Sequence, residues 1–161
     1  VDLIQWLVGP VESVTAKTAT LGRRIETEDS GIAILKFRNG ALGTIEVTML
    51  TYPRNLEGSI TILGEKGTVK VGGTAVNKIE HWAFSEYDDD DKLVDIAATN
   101  PPNVYGYGHE GYYRNVLRVL RGEAKADTDG RAGRKSLELI LGIYESAKTG
   151  REIPLPLRAK I

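Results

Sequence analysis

Four polar side chains that could hold an anionic or hydroxyl-bearing ligand stand in two irregular stretches of the sequence: Tyr52, Arg54, Asn55 and His109. Arginine binds a phosphate or a carboxylate through two parallel hydrogen bonds, and asparagine and tyrosine bond hydroxyl groups. The stretch Tyr52-Pro53-Arg54-Asn55 therefore suits a sugar nucleotide or a uronate. An ordinary loop that carries a surface arginine explains the same residues equally well.

His109 follows the run Tyr105-Gly106-Tyr107-Gly108, just before a helical pattern. A histidine in such a loop can carry a proton or donate a hydrogen bond to a ligand. It can equally bond its own backbone at the entry of the helix. The other histidine, His81, lies in a predicted strand and is most simply a residue of a sheet face.

The remaining candidate motifs favour structural roles. Gly64-Glu65-Lys66-Gly67 lacks the spacing of a phosphate-binding loop and is typical of a hairpin turn. The acidic run from Asp88 to Asp91 lacks the alternating ligands of a calcium loop, which favours a solvated turn. The chain has no cysteine, so neither a disulfide nor a thiolate metal site is possible. We find no self-sufficient catalytic constellation and expect no metal site.

The bulk composition is that of one globular domain. The 161 residues are 41% hydrophobic and 27% charged, and the net charge of −1 gives no attraction to nucleic acid or to an anionic membrane. The longest apolar runs are far too short to span a membrane. We therefore expect a soluble, cytoplasmic protein with neither of these partners.

Alternation of apolar residues predicts strands in the first part of the chain. Ala33, Leu35 and Phe37 share one face of a strand that ends at Asn39-Gly40, a strong hairpin signal. The predicted strands are Val11 to Leu21, Asp29 to Arg38, Ala41 to Tyr52, Ser59 to Leu63, Thr68 to Val71, Asn77 to Tyr87 and a short return strand from Leu93 to Ile96.

Helical spacing follows the strands. One predicted helical face is Tyr113, Val116, Leu117 and Leu120; the other is Leu137, Ile140, Leu141 and Tyr144, widened by Leu139 and Ile143. Strands followed by helices predict an α+β fold, an open and mostly antiparallel sheet with helices on one face. Apolar residues such as Ile32, Ile34 and Leu50 on the opposite face predict a dimer or a higher oligomer.

The first nine residues, Val1 to Gly9, read as the last two turns of a helix closed by a glycine. A helix that begins on its apolar stripe, without a capping residue, predicts that residues 1–161 are one domain cut from a larger chain. A processed mature terminus is the alternative.

Three stretches in this order resemble the Gfo/Idh/MocA oxidoreductases. Val1–Gly9 looks like the end of that family's His-x-x-Asp helix, with Asp2 as its aspartate. Ile62–Val69 is similar to a hairpin of the family's C-terminal sheet, and Ser146–Pro156 resembles its closing segment. The resemblance spans essentially the whole chain.

The resemblance implies that this chain is the C-terminal substrate-binding and oligomerisation domain, whose open sheet face packs against another subunit. The Rossmann domain for NAD or NADP, the catalytic lysine and the motif histidine would lie outside it. The chain alone is then expected to carry no catalytic residue, to bind no cofactor and to be inactive.

Within the family, Thr51–Gly58 and Tyr105–Tyr113 look most like members that oxidise a UDP-linked N-acetylglucosaminuronate at C3. This likeness implies substrate contacts from Tyr52, Arg54, Asn55 and His109. Two alternatives remain open: the same family acting on an inositol or a simple sugar, and a non-enzymatic assembly or carbohydrate-binding module.

Overall fold

A computed structural model of the chain describes residues 1–73, 76–97, 101 and 106–157. The chain divides into two compact units, residues 1–55 with 128–161 and residues 56–127, called the first and second unit below. The prediction of one domain remains a prediction, whereas the α+β class and the antiparallel pairing are confirmed. The described elements are α1 (Asp2–Val8), β1 (Val11–Ala19), β2 (Ser30–Phe37), β3 (Leu42–Thr48), β4 (Ile60–Leu63), β5 (Gly67–Gly72), β6 (Lys78–Phe84), a 3-10 helix (Asp89–Leu93), α2 (Val94–Ala97), α3 (Gly108–Leu120), α4 (Gly130–Thr149) and β7 (Ile153–Pro154).

The first unit is a four-stranded sheet in the order β3-β2-β1-β7 with α4 packed against β1. The predicted Asn39-Gly40 turn joins β2 to β3, and Gly40 has a φ of 91°, which favours glycine. Ala33, Leu35 and Phe37 are buried as the alternation predicts, and Ile32 and Ile34 are exposed. These residues define a covered face and an open face of one sheet.

A bulge in β1 changes which of its residues face the core. The pairing with β2 shifts between Val11 and Ser13, so the alternation restarts one residue later. Ser13 and Val14 are therefore both buried. The hydroxyl of Ser13 donates to the carboxylate of Glu152, just before β7.

The predicted apolar stripe of α4 is confirmed only in part. Leu139 is buried and Ile143 packs against the core as predicted, whereas Leu137, Ile140, Leu141 and Tyr144 are exposed. Gly142 and Ser146, which apolar spacing does not select, are buried. The physical reason is size. A Cβ on Gly142 would lie 3.2 Å from Val14 Cγ1, and the Ser146 hydroxyl accepts the N–H of Ala16 at 2.9 Å. Small residues let α4 approach β1 closely, which apolar periodicity alone does not reveal.

The second unit contains a three-stranded antiparallel sheet in the order β4-β5-β6. The predicted hairpin at Gly64-Glu65-Lys66-Gly67 joins β4 and β5. The predicted return strand from Leu93 to Ile96 is wrong, because these residues belong to the 3-10 helix and α2. The Asp88 carboxylate accepts the N–H of Asp90 at 2.9 Å, and the Asp91 carboxylate accepts the N–H of Asp88 at 2.5 Å. This reciprocal capping favours a helical turn over a strand.

The predicted apolar face of α3 is largely exposed. Tyr113, Leu117 and Leu120 are 60%, 52% and 78% exposed, and only Val116 of this set is half-buried. Among the described residues, no helix is both long and apolar enough to cross a membrane.

Candidate functional site

The segment that follows β3 carries three of the four predicted ligand residues. Tyr52, Arg54 and Asn55 are all exposed, Tyr52 at 95%. Within the part of the chain that the structure describes, none of their side chains makes a hydrogen bond or an ion pair. The segment Thr51–Asn55, called the candidate segment below, thus presents a guanidinium, a phenol and an amide to an incoming ligand.

The connection between β1 and β2 lies at the same end of the sheet, because β1 ends, β2 begins and β3 ends there. Asp29 is 2% exposed at this point. Its carboxylate accepts the N–H groups of Gly22 at 2.8 Å, Leu21 at 3.0 Å and Arg23 at 2.9 Å. The bond from Gly22, followed by the one from Leu21, lowers the pKa of Asp29 to about 2.

Arg23 joins this connection to the residue that follows β3, just before the candidate segment. Its Nη2 donates to the carbonyl oxygen of Met49 at 2.9 Å, two residues before Thr51. The sequence analysis missed both Arg23 and Asp29, since neither belongs to a recognisable motif. The available signal was an aspartate at the start of a strand, where its side chain can satisfy backbone donors of the preceding loop.

His109 belongs to the second unit and lies in the first turn of α3, so the prediction that it stands in the loop before the helix is wrong. Its side chain is exposed and has an interaction partner. The first three predicted residues therefore share one segment of the first unit, and His109 stands in another unit. The contribution of each of the four to substrate binding remains a prediction.

The glycines at 106, 108 and 111 have the spacing of a dinucleotide fingerprint, which the sequence analysis overlooked. Such a fingerprint directly follows a strand and opens a helix. These glycines open α3, but the nearest preceding strand among the described residues is β6, which ends at Phe84. A Cβ on Gly108 or Gly111 would meet nothing within 4 Å. Among the described residues, this run therefore lacks the directly preceding strand that such a fingerprint has.

Asp2, the expected motif remnant, makes a structural contact. The hydroxyl of Ser136 donates to Asp2 Oδ1 at 2.5 Å and so ties α1 to α4.

The acidic run lines a cavity of about 440 Å³ in the second unit, together with Trp82 and Phe84. The Asp91 carboxylate is occupied, since it accepts the indole N–H of Trp82 and the N–H of Asp88, each at 2.5 Å. No group of three acidic or histidine side chains among the described residues is arranged to hold a metal ion. The run therefore caps a helical turn, in keeping with the predicted solvated turn.

Two solved structures are close to this chain. It is 60% identical to the WlbA dehydrogenase from Bordetella pertussis in complex with NADH and UDP-GlcNAcA, with a TM-score of 0.91 over 98% of this chain and 45% of that one. It is 58% identical to the WlbA dehydrogenase from Chromobacterium violaceum, in complex with the same two molecules, with a TM-score of 0.90 over 98% of this chain and 44% of that one.

A more distant curated relative is the D-apiose dehydrogenase of Rhizobium rhizogenes, 24% identical over 96% of this chain and 46% of that protein. The chain thus spans a little under half the length of the proteins it matches. Residues 1–157 match the family model of the oxidoreductase family, C-terminal alpha/beta domain. With nearly its whole length matched, and with the α+β fold described above, this chain belongs to the Gfo/Idh/MocA oxidoreductase family and corresponds to its C-terminal domain.

Proposed function

We propose that this chain is the substrate-binding half of an NAD-dependent dehydrogenase that oxidises a UDP-linked sugar uronate of the UDP-GlcNAcA type at C3. The observation that carries the proposal is the identity of 58–60% over 98% of the chain to two dehydrogenases whose structures hold NADH and UDP-GlcNAcA. The cofactor supplies the hydride acceptor, and its binding site lies outside the residues described. A reaction that consumes a nucleotide-activated sugar fits the cytoplasm.

The candidate segment would form one wall of the sugar pocket. A UDP-sugar uronate carries a diphosphate and a carboxylate, and the planar guanidinium of Arg54 can bind either one through two hydrogen bonds. The amide of Asn55 suits the sugar hydroxyls, and the exposed ring of Tyr52 offers a surface for stacking. His109 is proposed as a further contact with the substrate.

Two other functions are less well supported. Levoglucosan dehydrogenase shares the fold, with a TM-score of 0.73, but is only 18% identical, so a simple sugar substrate rests on fold alone. A non-enzymatic carbohydrate-binding or assembly module would not need a guanidinium that is available to bind an anion. The exposed, unpaired Arg54 favours the charged substrate.

The test uses the full-length protein. We expect NADH to form from NAD when UDP-GlcNAcA is added, and much more slowly with myo-inositol or glucose at the same concentration. Comparable rates with all three would contradict the assignment to a nucleotide sugar. No NADH with any of them would favour the non-enzymatic module.

Alanine at Arg54 in the full-length protein should raise the KM for UDP-GlcNAcA about tenfold or more, because a charge-assisted hydrogen bond is lost. Arg38→Ala is the matched control, since Arg38 is an exposed arginine at the opposite end of the same sheet. Unchanged kinetics in Arg54→Ala would remove Arg54 from the site.

A further inference from the structure

We propose that Arg23, itself held by Asp29, is a positioning residue that sets the candidate segment for the substrate. The inference rests on the proposed function of that segment. Arg23 lies in the connection between β1 and β2, which contains no predicted ligand residue and no recognisable sequence motif.

The β1–β2 connection is anchored near both of its ends. One buried carboxylate, that of Asp29, accepts three successive backbone N–H groups at its start. At its end, the phenol of Tyr144 on α4 donates to Glu28 Oε1 at 2.7 Å. Charge-assisted hydrogen bonds to a buried carboxylate are among the stronger ones in proteins, so the backbone at Arg23 is fixed relative to the sheet.

The connection also contacts the end of β3. The guanidinium of Arg23 donates to the Met49 carbonyl at 2.9 Å, and the Met49 N–H donates to the carbonyl of Asp29 at 2.8 Å. Both backbone groups of Met49 are thus held by the connection. Leu50 is half-buried beside Gly22, where a Cβ would lie 3.0 Å from Leu50 Cδ2. Leu50 lies two residues beyond the end of β3, so the prediction that it belongs to the open face remains a prediction.

The candidate segment begins directly after these anchored residues. From Leu50 the chain reaches Tyr52 and Arg54 within four residues. Since Tyr52, Arg54 and Asn55 have no side-chain partner among the described residues, the direction of the candidate segment depends on its anchored start. A binding group displaced by about 1 Å loses much of its effect, so a loosened start should weaken substrate binding.

The experiment compares Arg23→Ala, Arg23→Lys and Arg38→Ala in the full-length protein. We expect Arg23→Ala to raise the KM for UDP-GlcNAcA about fivefold, with kcat changed less than about twofold. Lysine keeps a donor of similar reach and should restore part of the loss. Arg38→Ala should match the wild type.

A second measurement separates positioning from direct contact with the substrate. Amide hydrogen exchange of residues 50–55, measured without substrate in the 161-residue chain, should be faster in Arg23→Ala than in Arg38→Ala. A merely structural role would lower the melting temperature and leave the KM unchanged, and that result overturns the inference.

The two proposals fail in different ways. If Arg54→Ala raises the KM and Arg23→Ala behaves like Arg38→Ala, the positioning role is wrong and the substrate segment stands. If neither Arg54→Ala nor Arg23→Ala changes the KM, the candidate segment is not part of the site and both proposals fall.

Discussion

At the scale of single residues, Asp29 holds the start of the β1–β2 connection. It is buried and satisfies three backbone donors of the preceding loop. Its carboxylate must be ionised to accept all of these bonds, which is why the pKa falls from 3.8 to about 2. The stability that Asp29 contributes therefore depends on pH.

The sign of that dependence follows from linkage. The pKa of Asp29 is lower in the folded chain, so its contribution is fully present above the unfolded value of about 3.9 and is lost as the pH falls towards 2. We expect Asp29→Asn to be less stable than the wild type at pH 6, and the difference to shrink between pH 4 and pH 2. Urea unfolding of both proteins across this range measures it.

Other carboxylates contribute to both proteins equally, so they cancel in the comparison. A difference between wild type and Asp29→Asn that stays constant down to pH 2 would contradict the role assigned to the ionised carboxylate.

At the scale of elements, the two apolar faces of α4 should respond differently to truncation. Leu139→Ala should lower the free energy of unfolding of the 161-residue chain by about 2–5 kcal/mol, because Leu139 is fully buried. Leu141→Ala should change it by about 0.5 kcal/mol or less, since Leu141 is 48% exposed. Chemical denaturation of both variants tests the face of the helix. Equal losses would restore the face predicted from the sequence.

The elements themselves were largely predictable. Alternation and the Asn39-Gly40 turn predict β2 and β3 close to their observed positions, Ser30–Phe37 and Leu42–Thr48. The orientation of α4 was not predictable, because it depends on how closely Gly142 and Ser146 approach β1. Periodicity records which residues are apolar and carries no information on that distance.

The candidate site was predictable only in part. Arg54 and its neighbours stood out because polar residues interrupt the strand pattern. The anchoring role of Arg23 was hidden, since the carbonyl of Met49 that it holds lies 26 residues further along the chain. Contacts of a side chain with a distant backbone group leave no local pattern in a sequence.

At the scale of the whole molecule, the open face of the first unit is the proposed surface for a second copy. Ile32, Ile34 and Leu42 are 58%, 56% and 78% exposed there. The register places Ile34 opposite Thr44 and Leu42 opposite Lys36, so these residues share the face away from α4. Apolar side chains grouped on one exposed face are typical of an interface.

Self-association of the 161-residue chain checks this proposal. At about tens of micromolar the wild type should be a dimer or larger by light scattering, and Ile34→Asp should be a monomer because a buried carboxylate opposes association. The matched control is Leu63→Asp, in β4 of the second unit, where the leucine is 79% exposed. A monomeric wild type, or equal association of the two variants, would count against the open face.

The close contact between α4 and β1 determines which residues of α4 can be replaced when this chain is produced as an independent protein. A Cβ on Gly142 would press on Leu155 and Val14 at 3.2 Å, and a side chain without a hydroxyl at 146 would leave the N–H of Ala16 without its acceptor. On the outward side of the same helix, Leu137 and Leu141 are 56% and 48% exposed. Polar residues at these two places should improve the behaviour of the isolated chain in solution while its interior stays intact.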